Sequence, residues 1–135
     1  MAIANLESAD TFIAGNRIRY ELYRNLLADV PGIKLVKHAT DSTFQSIAIE
    51  VDAGLSVLTR NALHDVLLAE NVGTAKPFEA IAGTSTPVAT RLAASLLQLP
   101  NGPALNEEVV EAVSKLIELA IIRSLESPDP IRLAA

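Results

Sequence analysis

Cysteine and tryptophan are both absent from this chain, and each absence removes a class of explanation. Without thiols there is no disulfide framework and no thiolate nucleophile, and the redox compartment stays open. Without tryptophan, Phe12, Phe44, Phe78, Tyr20 and Tyr23 are the whole aromatic complement, so the core must be built from Leu, Ile, Val and Ala. Basic charge is also scarce: 11 Lys and Arg face 16 Asp and Glu, for a formal net charge of −5. Nucleic-acid binding needs a clustered basic face, and the neighbouring Lys34 and Lys37 read instead as a solvated strand face. No run approaches the ~18 consecutive apolar residues that span a bilayer. The first ten residues lack the positive region and apolar stretch of a secretory signal. A cytoplasmic location is expected, with no nucleic acid and no membrane among the partners.

What the chain has in plenty is aliphatic surface. Half of its 135 residues are apolar and the mean hydropathy is +0.31. That length fits one domain, expected over 1–126, with a Pro-containing tail over 127–135. Such a surplus with few aromatics fills a core or forms a patch for another surface.

Periodicity then places the elements. Leu6, Ala9, Ile13, Asn16, Tyr20, Tyr23 and Leu27 recur at spacings of three and four, predicting a helix over 6–29 about 36 Å long. That is longer than a small domain needs, so either one end projects past the core or the N-terminus frays. Pro31-Gly32 ends it. Residues 33–37 form a short strand, and 45–52 alternate strictly, with Ile47, Ile49 and Val51 on one face. The few residues between them predict an antiparallel pair.

Ser56 or Thr59 caps the next helix, whose stripe is Leu55, Leu58, Ala62, Leu63, Val66 and Leu67, and Asn71 or Gly73 ends it. A short strand is expected over 72–75, followed by a Gly- and Ser-rich loop. Thr86-Pro87 starts a third helix, Leu96 to Leu99 form a strand, and Asn106 caps a last helix with a stripe of Val109, Val113, Leu116, Ile117 and Ala120. The fold class is α+β: a two-layer domain with a small, mainly antiparallel sheet of three to four strands against helices, and a long N-terminal helix.

The titratable residues do not assemble a catalytic set on this reading. His38 ends a strand before a turn and is expected to be exposed. His64 and Asp65 are adjacent on a helix and face apart, so they form no dyad. Two separate histidines without cysteine make no zinc site. Ser42, Ser46 and Ser56 lack the Gly-x-Ser-x-Gly setting of a nucleophile elbow. Glu107 and Glu108 suit the positive end of the helix dipole.

Three ordered stretches carry a resemblance. They are Asn16-Arg17, Tyr20, Tyr23-Arg24, Leu26-Leu27 and Pro31-Gly32-Ile33; then 45–73 with Leu67, Glu70 and Asn71-Val72; then Ala93-Ala94-Ser95, 96–100 and Glu107-Glu108-Val109. Together the chain resembles the small C-terminal domain of the DegT/DnrJ/EryC1/StrS family of sugar aminotransferases, which depend on pyridoxal phosphate (PLP). In that family the cofactor lysine lies on a large N-terminal domain, which the resemblance does not cover. It therefore implies no catalytic, cofactor-binding or metal-binding residue in this chain, and PLP only through a companion that carries the large domain.

The family's loop after the Asn-Val strand has a Tyr-Pro-x-x-His flavour and nears the substrate. Here it reads Thr74-Ala75-Lys76-Pro77-Phe78-Glu79, with Pro77 kept and no histidine. Lys76, Pro77 and Phe78 are the expected substrate-proximal residues if a partner completes the site. The preferred expectation is a stand-alone small domain, not catalytic alone, acting by self-association or by docking. Its expected contact surface is Ile13, Asn16, Tyr20 and Tyr23. The alternatives are one part of a split or truncated aminotransferase, and a small-ligand-binding module using the turn at Gly54 and the helix start after it.

Overall fold

A computed structural model describes residues 6–56, 58–78 and 86–126. The elements are α1 (Ala9–Leu26), β1 (Ile33–Leu35), β2 (Ile47–Val51), α2 (Arg60–Ala69), α3 (Pro87–Ser95), β3 (Leu96–Leu99) and α4 (Glu107–Glu126). The strands form one antiparallel sheet in the order β1-β2-β3, giving an α+β domain with an open sheet and a long first helix. The expected strand over 72–75 reduces to one bridge, Ala75 to Gln98 at the free edge of β3.

Register follows the alternation read from sequence. Ile47 pairs with Leu99, and Ile49 with Leu97 on one side and Leu35 on the other. Ile47, Ile49, Leu97 and Leu99 are buried. They share one face of the pleat, and that face meets the helices. Tyr20, Tyr23 and Leu27 of the first helical segment, Leu63 and Leu67 of α2, and Val110, Val113, Ile117 and Ile121 of α4 complete one core. Each fully buried aliphatic side chain contributes about 1.5–3 kcal/mol by leaving water. The opposite face carries Glu50, paired in register with Leu96, and Arg91 of α3 forms an ion pair with Glu50.

Several expectations need correction. The regular part of α1 is 18 residues and not the full 6–29, so it is about 27 Å long. The chain beyond its C-terminal end closes in turns, Val30 N–H to the Leu27 carbonyl and Ile33 N–H to the Val30 carbonyl, with Gly32 at a φ of 73°. The N-terminal part stands off the core: Leu6 is 74 % and Phe12 46 % exposed.

Leu55 is also exposed and leaves the α2 stripe. Helix α2 begins at Arg60, and Thr59 caps it by accepting from the Ala62 N–H. In α4 the buried position is Val110, with Val109 outside; adjacent valines made the phase of that stripe ambiguous. Asn106 caps α4 through the Val109 N–H. Thr86 precedes α3 without a side-chain capping bond, although Pro87 takes the first helical position as expected. The 127–135 tail lies outside the described residues.

Candidate functional site

Two places collect polar side chains that sequence singled out. The first is the exit from α2. Asn71 adopts the left-handed conformation, φ 59°, and the Val72 N–H reaches back to the Leu67 carbonyl at 2.8 Å, which ends the helix as such a residue does. Ala75 and Gln98 then exchange two backbone bonds, 3.1 and 2.8 Å, and fix the start of the loop to the edge of β3. Lys76 is exposed, Pro77 half-buried and Phe78 61 % exposed. The remainder of that loop, 79–85, lies outside the described residues.

His64 belongs to this corner. Its Nδ1 lies 2.6 Å from the Thr74 hydroxyl, tying α2 to the loop, and Asp65 is no hydrogen-bond partner of it. Burial pulls the imidazole below its ordinary value, Lys76 and Arg60 push the same way, and Asp65 opposes them. The neutral ring is the form this corner favours.

The second place joins α1 to the chain just after β3 and just before β2. Arg19, almost wholly buried, donates from Nε to Asn101 Oδ1 at 2.6 Å and from Nη2 to Asn16 Oδ1 at 2.7 Å. Asn101 Nδ2 in turn donates to the Phe44 and Gln45 carbonyls at 2.9 and 3.2 Å. The Tyr23 hydroxyl donates to the Pro100 carbonyl, and burial pushes its phenol far up, with Arg19 opposing.

Tyr20, His38 and Phe44 stack within 5.0 to 5.4 Å of one another, and Arg17 lies over the Phe44 ring. His38 is therefore half-buried against aromatics, with Nδ1 on the Ser42 hydroxyl, and not the exposed residue expected. Phe44 holds a φ of 51°, uncommon for a bulky residue, and the Asn101 bond to its carbonyl helps fix it.

Of the contact residues read from sequence, Tyr20 and Tyr23 turn into the domain's own core, while Ile13 and Asn16 are half-buried. The apolar side chains that α1 leaves outward are Phe12, Ile18 and Leu26. Ser56 is buried, with its hydroxyl engaged by Leu58, so it serves the turn before α2 and does not start the helix. Sequence reasoning missed Arg19, Asn101 and Arg60. Their partners lie 82, 57 and 36 residues away, and no local pattern encodes such distances.

Among the described residues no group of three or more His, Asp or Glu could hold a metal ion. A lysine that forms a Schiff base needs a desolvated pocket. The chain's four lysines, Lys34, Lys37, Lys76 and Lys115, are all exposed, so none meets that requirement.

A match to the DegT/DnrJ/EryC1/StrS aminotransferase family covers residues 1–118. The chain belongs to that family. No curated protein matches it. Among solved structures it is similar to DesI, determined in the presence of its TDP-sugar product, at 28 % identity and a TM-score of 0.83, over 93 % of this chain and 35 % of that one. The aminotransferase TlmJ of Streptoalloteichus hindustanus shares the fold at 24 % identity and a TM-score of 0.76, over 90 % of this chain and 35 % of that one. GDP-4-keto-6-deoxy-D-mannose-3-dehydratase of E. coli, with bound hydrated PLP, shares it at 14 % and 0.71, over 85 % and 33 %. The chain thus spans about a third of the length of these structures. No described helix is long and apolar enough to cross a membrane.

Proposed function

We propose that this chain is the small domain of a PLP-dependent sugar aminotransferase system, inert by itself, which works by association with a cofactor-binding domain of the same family. The observation that carries this reading is the exposure of all four lysines in a domain that retains the family fold. When bound, PLP supplies the electron sink for amino transfer. Here the chain's contribution is to cover the site and position the loop at Lys76, Pro77 and Phe78, which the Ala75–Gln98 bridge anchors. A nucleotide-linked sugar, of the kind present with DesI, is the substrate class this reading implies.

Self-association is the second reading, favoured by the outward Phe12 and Ile18 of α1. It predicts a dimer by light scattering, dispersed by Ile18→Glu; a monomer at high concentration removes it.

The main test mixes the purified chain with a separately produced large domain of a family member, PLP, an amino donor and a nucleotide-linked keto sugar. The chain alone is expected to give no turnover, and the mixture to transfer the amino group. Turnover by the chain alone overturns the proposal, as does a mixture no more active than the large domain by itself.

A further inference from the structure

A cavity of about 530 Å³ opens where the turn after β2, the start of α2 and the end of α3 meet, lined by Asp52, Gly54, Thr59, Arg60, Arg91 and Ala94 among others. Volumes of 300–1,000 Å³ are those of small-molecule sites. Its chemistry is unusual in one respect. Arg60 is only 9 % exposed, yet its partners are both neutral: Nη1 donates to the Leu96 carbonyl at 2.9 Å and Nε to Asn61 Oδ1 at 2.8 Å. Among the described residues Nη2 has no hydrogen-bond partner and keeps access to the cavity's solvent, and no described carboxylate pairs with the guanidinium.

A buried charge without a counter-ion is costly. Burial accordingly draws the Arg60 guanidinium below its ordinary value. A second unpartnered group stands in the same wall: the Ser95 hydroxyl is buried without a hydrogen bond.

The other charges define what could fill the vacancy. Arg91 is already neutralised by Glu50. Asp52 also lines the cavity and spends one oxygen on the Gly54 N–H at 2.8 Å, so its charge remains. Asp52 shares the cavity without pairing with Arg60, so the Arg60 fork can take a single negative charge while the Asp52 carboxylate repels a dianion. A planar carboxylate also matches the guanidinium fork. We propose that this cavity is a binding site for a small organic carboxylate, held as the counter-ion of Arg60 and distinct from the loop at Lys76. This assignment does not depend on the proposed role in amino transfer.

The test is an NMR titration of the full chain with sodium acetate, against sodium chloride at matched ionic strength. The expected result is a saturable shift confined to the amides of Gly54, Arg60 and Asn61 and to the Arg60 Nε–H. Phosphate at the same concentration is expected to bind at least about tenfold more weakly, because the uncompensated Asp52 repels it. Arg60→Lys, which keeps the charge and loses the fork, is expected to weaken acetate by about tenfold. Should that variant fail to fold, Ala94→Leu fills the cavity from α3 without touching Arg60 and is expected to abolish saturation.

Free L-glutamate and a peptide with one internal glutamate separate the two sources of a carboxylate. Whichever saturates at lower concentration names the source, and both results sustain the site. A linear, unsaturated drift with acetate overturns the proposal, as does phosphate binding as tightly as acetate, or an Ala94→Leu protein that binds unchanged.

Discussion

His64 shows how one side chain in this fold couples charge to the attachment of a loop. Its ring bonds Thr74 while burial, then Lys76 and Arg60, disfavour the imidazolium against Asp65. The consequence for stability follows from linkage. A base whose folded value lies below its unfolded one gives up stability as pH falls, because the unfolded chain takes the proton first. Above the ordinary value near 6.5 both states are neutral and nothing is lost. Below it, stability declines until the folded ring also protonates. Urea midpoints measured from pH 8 down to pH 5 are expected to fall for the wild type and to fall less for His64→Gln. At pH 8 that variant should lose about 1 kcal/mol, the worth of a single neutral hydrogen bond. An equal pH slope in both proteins would show that the corner around Thr74 does not sense the charge.

Elements were legible where one periodicity had a single phase. Ile47, Ile49 and Val51 alternate with smaller or polar neighbours, and the strand buries that same set. The Asn71 ending of α2 and the proline at the start of α3 were legible for the same reason: each residue has one conformational use. Helix α4 was harder, since Val109 and Val110 offer two phases and only packing against α1 and α2 selects the second.

Gly32 marks the turn where the chain leaves the first helical segment for β1. Its φ is +73°, and a Cβ there would lie 2.7 Å from Ser56 Cβ and 2.9 Å from the Ser56 backbone nitrogen. Neither neighbour is a flexible side-chain end, so relief requires moving the turn before α2. Gly32→Ala is expected to cost about 2–3 kcal/mol from backbone strain and overpacking together. Gly73 is the control, with open space around it; Gly73→Ala should leave thermal melting within about 0.5 kcal/mol of wild type. Similar losses at both positions would mean that Ser56 yields freely.

At the scale of the molecule, family and fold class were legible while the polar connections were not. An ordered set of weak local matches is enough to identify a scaffold, because the scaffold is what periodicity and turn chemistry encode. The links from Arg60 to Leu96, and from Arg19 to Asn101, arise only when the sheet brings distant residues together. The same distinction bears on cofactor chemistry. A Schiff-base lysine is recognisable by its desolvated surroundings, and Lys34, Lys37, Lys76 and Lys115 all sit in water. Water solvates each amine and gives none a preferred geometry toward an aldehyde. Incubation with stoichiometric PLP, borohydride reduction and peptide mass spectrometry should therefore find sparse label spread over all four, with Lys76 no more than about twofold above the others if its nearness to His64 has any effect. Label concentrated on a single lysine would mean that this domain makes a cofactor pocket of its own, and the dependence on a separate large domain would fall with it.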